Sequence, residues 1–195
     1  MPSTGKSFGL EINSEVDERY NIYKSTEAAC KYLNQAYKKY NSWITAAASY
    51  NAGYGTIDRA MNAQNVDNYY DLLLNQETSR YVFRIIAVKI IMENPTEYGF
   101  YLREKDLYPP VPLQKIEVSE PIPNIAEYAI EKGFNYRILK EFNPWLRTNK
   151  LSNPYKKTYQ IYLPISKNAL DYDFLQRDIH DDNSLYNDTI CVDEI

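Results

Sequence analysis

Tyr50 and Asn51, in the run Ser49-Tyr50-Asn51-Ala52-Gly53, place a phenol and an amide where a nearly chargeless helix meets a glycine turn. Two polar groups on such a rigid end can line a cleft and hydrogen-bond a hydroxyl-rich ligand. The plainer alternative is an Asn that caps the last helix carbonyls and a Tyr packed in the core. Tyr81 poses the same alternative on an apolar helix face. The acid–base candidates nearby are Glu11, Glu15, Glu18, Glu27 and Glu77. A general acid at neutral pH needs an apolar, water-poor setting that raises its pKa. Glu18, inside Asp17-Glu18-Arg19, is expected in an ion pair or a hydrogen-bonded loop. Glu27 and Glu77 are expected in helix first turns, where the dipole favours the charged form.

The remaining reactive side chains suggest little chemistry. His180, the one histidine, lies among Asp178, Asp181 and Asp182, a solvated acidic stretch before it is a weak metal site. Cys30 and Cys191 make neither a disulfide framework nor a zinc site. Cys30 sits between apolar helix positions and is expected to be a buried free thiol. Cys191 has no cationic neighbour to activate it. No metal and no cofactor are expected.

The elements that must position these groups follow from periodicity. Over 24–40, Ala29, Leu33, Ala36, Tyr37 and Tyr40 form one stripe of a 3.6-residue period, with Ser25 as the expected N-cap. Residues 43–50 predict a helix buried nearly all round, stopped by Gly53 and Gly55. A short helix is expected over 56–61. The run 77–93 predicts the strongest helix, capped by Asn75, ended by Asn94-Pro95, with Tyr81, Ile85, Val88 and Met92 on one face.

After residue 100 the pattern changes. Tyr108-Pro109-Pro110-Val111-Pro112 predicts a stiff extended linker within 105–112. Beyond it come an alternating strand over 113–118, helices over 122–132 and 136–142, and a second strand over 157–164. The order is β-α-α-β across 113–165. Residues 166–195 hold two basic against eight acidic side chains and predict a solvated, partly disordered tail. The expected division is 1–104, 105–112, 113–165 and 166–195.

Composition narrows the partners. At 195 residues with 44% hydrophobic and 25% charged, the chain is globular in composition. A pI near 5.2 without a Lys/Arg cluster excludes a nucleic-acid footprint. No apolar run approaches the roughly 18 residues of a membrane span. Met1-Pro-Ser-Thr-Gly-Lys6 shows no export signal. Twenty tyrosines suit aromatic contact surfaces.

Five separated motifs carry a resemblance: Met1-Pro2-Ser3-Thr4-Gly5, Val16-Asp17-Glu18-Arg19, Ser25-Thr26-Glu27-Ala28-Ala29, Ala48 to Gly53, and Glu77 to Val82. In order and spacing they resemble the lytic transglycosylases with a goose-lysozyme-like SLT domain, of the membrane-bound murein D type. Ser49 stands where the family more often has Ala. The resemblance implies a mainly α fold, a partial lysozyme-like helical domain followed by a small β-α-α-β module. It also implies cleavage of the β-1,4 bond between N-acetylmuramic acid and N-acetylglucosamine without water. One Glu protonates the leaving oxygen, then accepts the proton of the muramic 6-hydroxyl as that oxygen attacks C1. A single carboxylate suffices, unlike the two of most glycosidases. The family's Glu precedes the motif that ends in Met-Pro-Ser-Thr-Gly, so it is expected upstream of Met1. No carboxylate in this chain is expected to replace it.

By the same resemblance Ser3, Thr4, Tyr50, Asn51 and Tyr81 contact the glycan, Tyr81 also lying near the acid. The expected partner is the peptidoglycan glycan strand in the periplasm or at the outer membrane, with any membrane link through a lipid anchor. Residues 116–164 resemble a divergent LysM module, with Ser119-Glu120-Pro121-Ile122 in place of the usual Gly-Asp-Thr-Leu loop. That difference leaves sugar binding and a packing role open, and Trp145 could stack on a sugar or close the small core. Two alternatives accompany the enzyme: a non-catalytic glycan-binding or scaffolding remnant, and a cytoplasmic pseudoenzyme with protein partners.

Overall fold

The computed structural model describes residues 1–103, 107 and 110–166. The acidic tail, with His180 and Cys191, and most of the expected linker lie outside the described residues. The chain opens on a short helix α1 (Pro2–Ser7), with Pro2 at the first helical position, where a missing N–H costs nothing. Proline followed by small polar residues is the local signal for it, which hydrophobic periodicity does not register.

Helix α2 (Ile22–Tyr40) has its cap four residues before the expected Ser25. Asn21 is its cap, accepting from the Lys24 N–H, while the Ser25 hydroxyl donates back to the Ile22 carbonyl. Glu27 therefore sits in the second turn. Its pKa is lowered by the hydrogen bond from Lys31, and no first-turn dipole is needed to explain it. Cys30 is exposed on this helix, against the expected burial: the buried stripe is Ala28, Tyr32 and Ala36, and position 30 points away from it.

Helix α3 (Trp43–Ala52) is held by Ser42 at its start and stops at Gly53, whose φ of 84° only glycine adopts without strain. It is not buried all round. Thr45, Ala46, Ala48 and Ser49 face inward, while Trp43 and Tyr50 stand half in solvent. Gly55 is no stop signal; it lies inside α4 (Tyr54–Gln64), a helix longer than expected at both ends. Helix α5 (Gln76–Glu93) is capped by Asn75 as expected. Only Thr78 and Val82 of it are buried, however, and Ile85, Val88 and Met92 are exposed. The described chain packs on the first two turns of α5, through α3 and Tyr69, and leaves the rest of its apolar length uncovered. No described helix is long and apolar enough to cross a membrane.

The second half is β1 (Leu113–Val118), α6 (Ile125–Glu131), α7 (Tyr136–Phe142) and β2 (Tyr159–Pro164). The strands pair antiparallel, Leu113 opposite Pro164 and Val118 opposite Tyr159. Ile122 precedes α6 and bridges Leu151 instead of starting the helix, because Asn124 caps Ala126. Gly133 closes α6 at a φ of 83°.

The two halves share one core. Val16, from the loop between α1 and α2, is 1% exposed and joins the cluster formed by Ile125, Leu139, Trp145, Leu146, Ile161 and Leu163. The backbone seals the joint: Asp17 N–H donates to the Trp145 carbonyl (2.9 Å) and Arg147 N–H to the Glu15 carbonyl (2.7 Å). The Glu15 carboxylate accepts from the Ser152 N–H (2.7 Å) and hydroxyl (2.8 Å). Glu11 takes Lys157 and Tyr159, and the Tyr23 ring lies 4.9 Å from that of Tyr162. The β-α-α-β unit is clamped around residues 11–20. Trp145 is consequently core: it is 2% exposed and stacks on Tyr159, with centroids 5.6 Å apart.

Candidate functional site

An open cleft of about 500 Å³ forms where α1, the start of α2 and the end of α3 converge. Thr4 and Gly5 of α1, Tyr50 to Gly53 at the end of α3, and Leu10 and Arg19 from the loop between α1 and α2 line it. Tyr32 lies at the base. Its ring stacks on Tyr54 at 4.5 Å, meets Tyr50 edge-on at 5.4 Å and tilts against Phe8 at 5.5 Å. The Tyr32 hydroxyl donates to the Ser49 carbonyl (2.7 Å), and the Tyr54 hydroxyl donates to the Tyr32 carbonyl (3.0 Å). Burial raises both phenols, Tyr54 to about 12, so both stay protonated donors across the physiological range. Six of the residues from 32 to 54 are aromatic, and here a subset of them makes a rigid floor whose apolar faces suit the C–H faces of a sugar.

Of the candidates named from sequence, Thr4, Tyr50 and Asn51 line this cleft. Ser3 is exposed on α1 and is not part of the lining. Tyr81 is half-buried on α5 beside Tyr50, outside the lining, with its phenol raised by burial and by that neighbour. Asn51 does not cap its own helix. Its Oδ1 accepts from the Thr78 hydroxyl (2.9 Å) and its Nδ2 donates to Glu77 (3.3 Å), tying α3 to the first turn of α5. Tyr69 supports the same turn by donating to the Ser79 carbonyl (2.8 Å). The run Glu77-Thr78-Ser79 is thus a socket for Asn51. The Ser49 hydroxyl, fully buried, donates to the Ala46 carbonyl (2.8 Å), which is why serine is tolerated at that position.

Among the described residues, no carboxylate lines the cleft. Glu18 is 4% exposed but turned into its own loop, where it accepts from the Glu11 N–H (2.7 Å) and pairs with Lys24. Glu77 is exposed and engaged by Asn51. Among the described residues, no three or more His, Cys, Asp or Glu side chains converge as a metal site would require.

Arg19 was passed over as a member of a structural turn, yet it is the charged side chain of the cleft lining. Asp17, buried, holds it through Nε (2.9 Å) and Nη2 (2.6 Å). The arginine hydrogen bond keeps the Asp17 carboxyl below its ordinary 3.8. The Ser152 N–H likewise keeps Glu15 below 4.5.

Residues 1–72 match the family described as Transglycosylase SLT domain, and residues 114–167 the Soluble lytic transglycosylase C-terminal LysM-like domain. Two separate stretches of the chain thus match domains of lytic transglycosylases. Membrane-bound lytic murein transglycosylase D of Escherichia coli K12 is 29% identical over 156 residues, 77% of this chain and 34% of its own length. The same-named protein of Escherichia coli O6:H1 gives identical figures. The chain spans about a third of the length of these curated relatives. The SLT match takes in the cleft walls from α1 to α3, and the LysM-like match takes in the unit clamped on residues 11–20.

The depressed carboxyls make the joint between SLT and LysM-like units acid-sensitive. A carboxyl whose folded pKa lies below its unfolded value adds stability above the unfolded value, and loses it as pH falls through the folded one. For Glu15 and Asp17 those unfolded values are 4.5 and 3.8. The urea midpoint should therefore fall as pH drops from about 5 toward 3. Glu15→Gln should flatten part of that fall, and an unchanged slope in this variant would remove Glu15 from the account.

Proposed function

We propose that this chain binds murein glycan strands in the Thr4–Tyr50–Asn51 cleft, as part of a peptidoglycan lytic transglycosylase of the cell envelope. The reaction class is non-hydrolytic cleavage of the β-1,4 bond between N-acetylmuramic acid and N-acetylglucosamine, leaving 1,6-anhydromuramyl ends. The observation that carries the reading is the cleft itself, a tyrosine-floored groove within the SLT match whose wall is built by Tyr50 and Asn51. Tyr81 is assigned a supporting place behind Tyr50, and Ser3 a place at the outer rim beside Thr4. The functional units are taken as 1–104 and 113–165, joined by 105–112.

The proton donor is assigned elsewhere than the cleft lining, since that lining holds no carboxylate. By itself the chain is then a glycan-binding unit, and this second reading rests on the same missing group. The LysM-like unit is given a packing role, because Trp145 is core and the loops after α7 already hold residues 11–20.

Sedimentation with purified peptidoglycan, followed by analysis of soluble products, tests both statements. The expected result is binding without release of anhydromuropeptides. Asn51→Ala should weaken binding about tenfold, because it removes a polar cleft group and frees the wall from α5. Release of anhydromuropeptides by this chain would overturn the placement of the donor, and absence of binding would overturn the glycan reading.

A further inference from the structure

We propose that Arg19 is the cleft's receptor for a carboxylate of the murein strand. This rests on the glycan reading above and narrows it. Four observations on this residue converge. Its charge stands in a cleft lining whose other side chains are uncharged. Its aliphatic stem lies along Gly5 of α1, where an added Cβ would come within 3.5 Å of Arg19 Cγ and 2.9 Å of Ile12 Cδ1. The contact with Arg19 is an ordinary van der Waals one, so the stem packs on the helix at this position, and the tight neighbour is Ile12. Asp17 grips Nε and Nη2, while Nη1 makes no hydrogen bond among the described residues and the side chain stays 37% exposed. One donor edge is thus fixed and the other is left for a ligand.

The pairing with Asp17 does not cancel the charge at this end of the cleft. The charge of Arg147 also bears on Asp17, and its guanidinium lies 4.4 Å from the Tyr20 ring, so a second cation stands in this neighbourhood. The Asp17 N–H is in turn anchored on the Trp145 carbonyl of the LysM-like unit. A cation prepaid in this geometry loses little side-chain freedom when it meets an anion. The murein strand offers carboxylates of two kinds: the lactyl group of muramic acid where no peptide is attached, and the carboxylates of the stem peptide where one is.

The test measures affinity by calorimetry at low salt for three probes. They are neutral chitotetraose, a peptide-free tetrasaccharide alternating N-acetylglucosamine and N-acetylmuramic acid, and the same tetrasaccharide bearing stem peptides. The full chain should prefer a carboxylate-bearing probe over chitotetraose about tenfold, a preference that shrinks with added salt. Whichever of the two acidic probes shows it names the source of the carboxylate. Arg19→Ala should bring the preference to within about twofold, while Arg19→Lys should keep part of it. Equal binding of all three by the full chain, or a preference that survives in Arg19→Ala, overturns the role of Arg19 and leaves the glycan reading standing. Binding of none of the three overturns both.

Discussion

Val16→Asp is expected to cost the chain about 3 kcal/mol or more, measured by urea unfolding at pH 7. Val16 is 1% exposed, and the cluster around it is almost wholly apolar, drawn from α6, α7, β2 and the loop between the last two. An ionised carboxylate at this position either stays buried at a large desolvation cost or draws residues 11–20 off the LysM-like unit. The second course breaks the Asp17–Trp145 and Arg147–Glu15 backbone bonds and exposes the apolar socket. Amide resonances of β2 and of the 11–20 loop should shift together, since Tyr159 and Tyr162 face Glu11 and Tyr23. Val16→Ala, which only trims methyl groups, should cost about 1 to 2 kcal/mol. A loss below about 1 kcal/mol for the aspartate would mean that the two units are not held by this residue.

Asn143→Leu should cost about 3 to 5 kcal/mol although the two side chains share a branched outline. Asn143 is fully buried at the end of α7 and makes three bonds through its amide. Nδ2 donates to the Leu139 carbonyl (2.8 Å) and to the Tyr162 carbonyl (2.7 Å), and Oδ1 accepts from the Tyr162 N–H (2.8 Å). The amide therefore stands in for a neighbouring strand against β2 and closes the helix in one step. Leucine fills the space but leaves buried backbone donors and acceptors without partners, each costing about 1 to 3 kcal/mol. Asn143→Asp separates this account from one of shape alone. Aspartate keeps the acceptor for Tyr162 N–H yet turns an oxygen toward two carbonyls, so it should be no better than leucine. An aspartate variant as stable as the natural chain would show that the donor bonds carry nothing.

Both predictions concern contacts that periodicity does not reveal. The side chains of Val16 and Leu146 meet across some 130 residues of sequence, through a backbone bridge. The residues around Val16 look like a polar loop, and the chain shows a proline-rich stretch where two separate units would be expected to part. What joins them is a loop inserted into the smaller unit's core. The cleft shows the same division. Tyr50 and Asn51 were visible as polar groups at a helix end, and Thr4 through the resemblance alone. That Asn51 would answer to Glu77 and Thr78, and that Arg19 would turn into the groove, depended on how α1, α3 and α5 pack.

The sequence by itself determined most of the helices, both strands and some of their ends: Asn75 at the start of α5, Gly53 after α3, Gly133 after α6, and the alternation of β1 and β2. These depend on interactions within a few residues, namely side-chain caps, a positive φ that glycine adopts, and a period of two or 3.6. Only the tertiary structure decided which apolar faces are covered. It left Cys30 and the far half of α5 in solvent, buried Val16 and Trp145 together, and set a guanidinium in a cleft without carboxylates. A helical stripe states that a face is apolar; the element that packs on it, and the area removed from water, are set by distant parts of the chain.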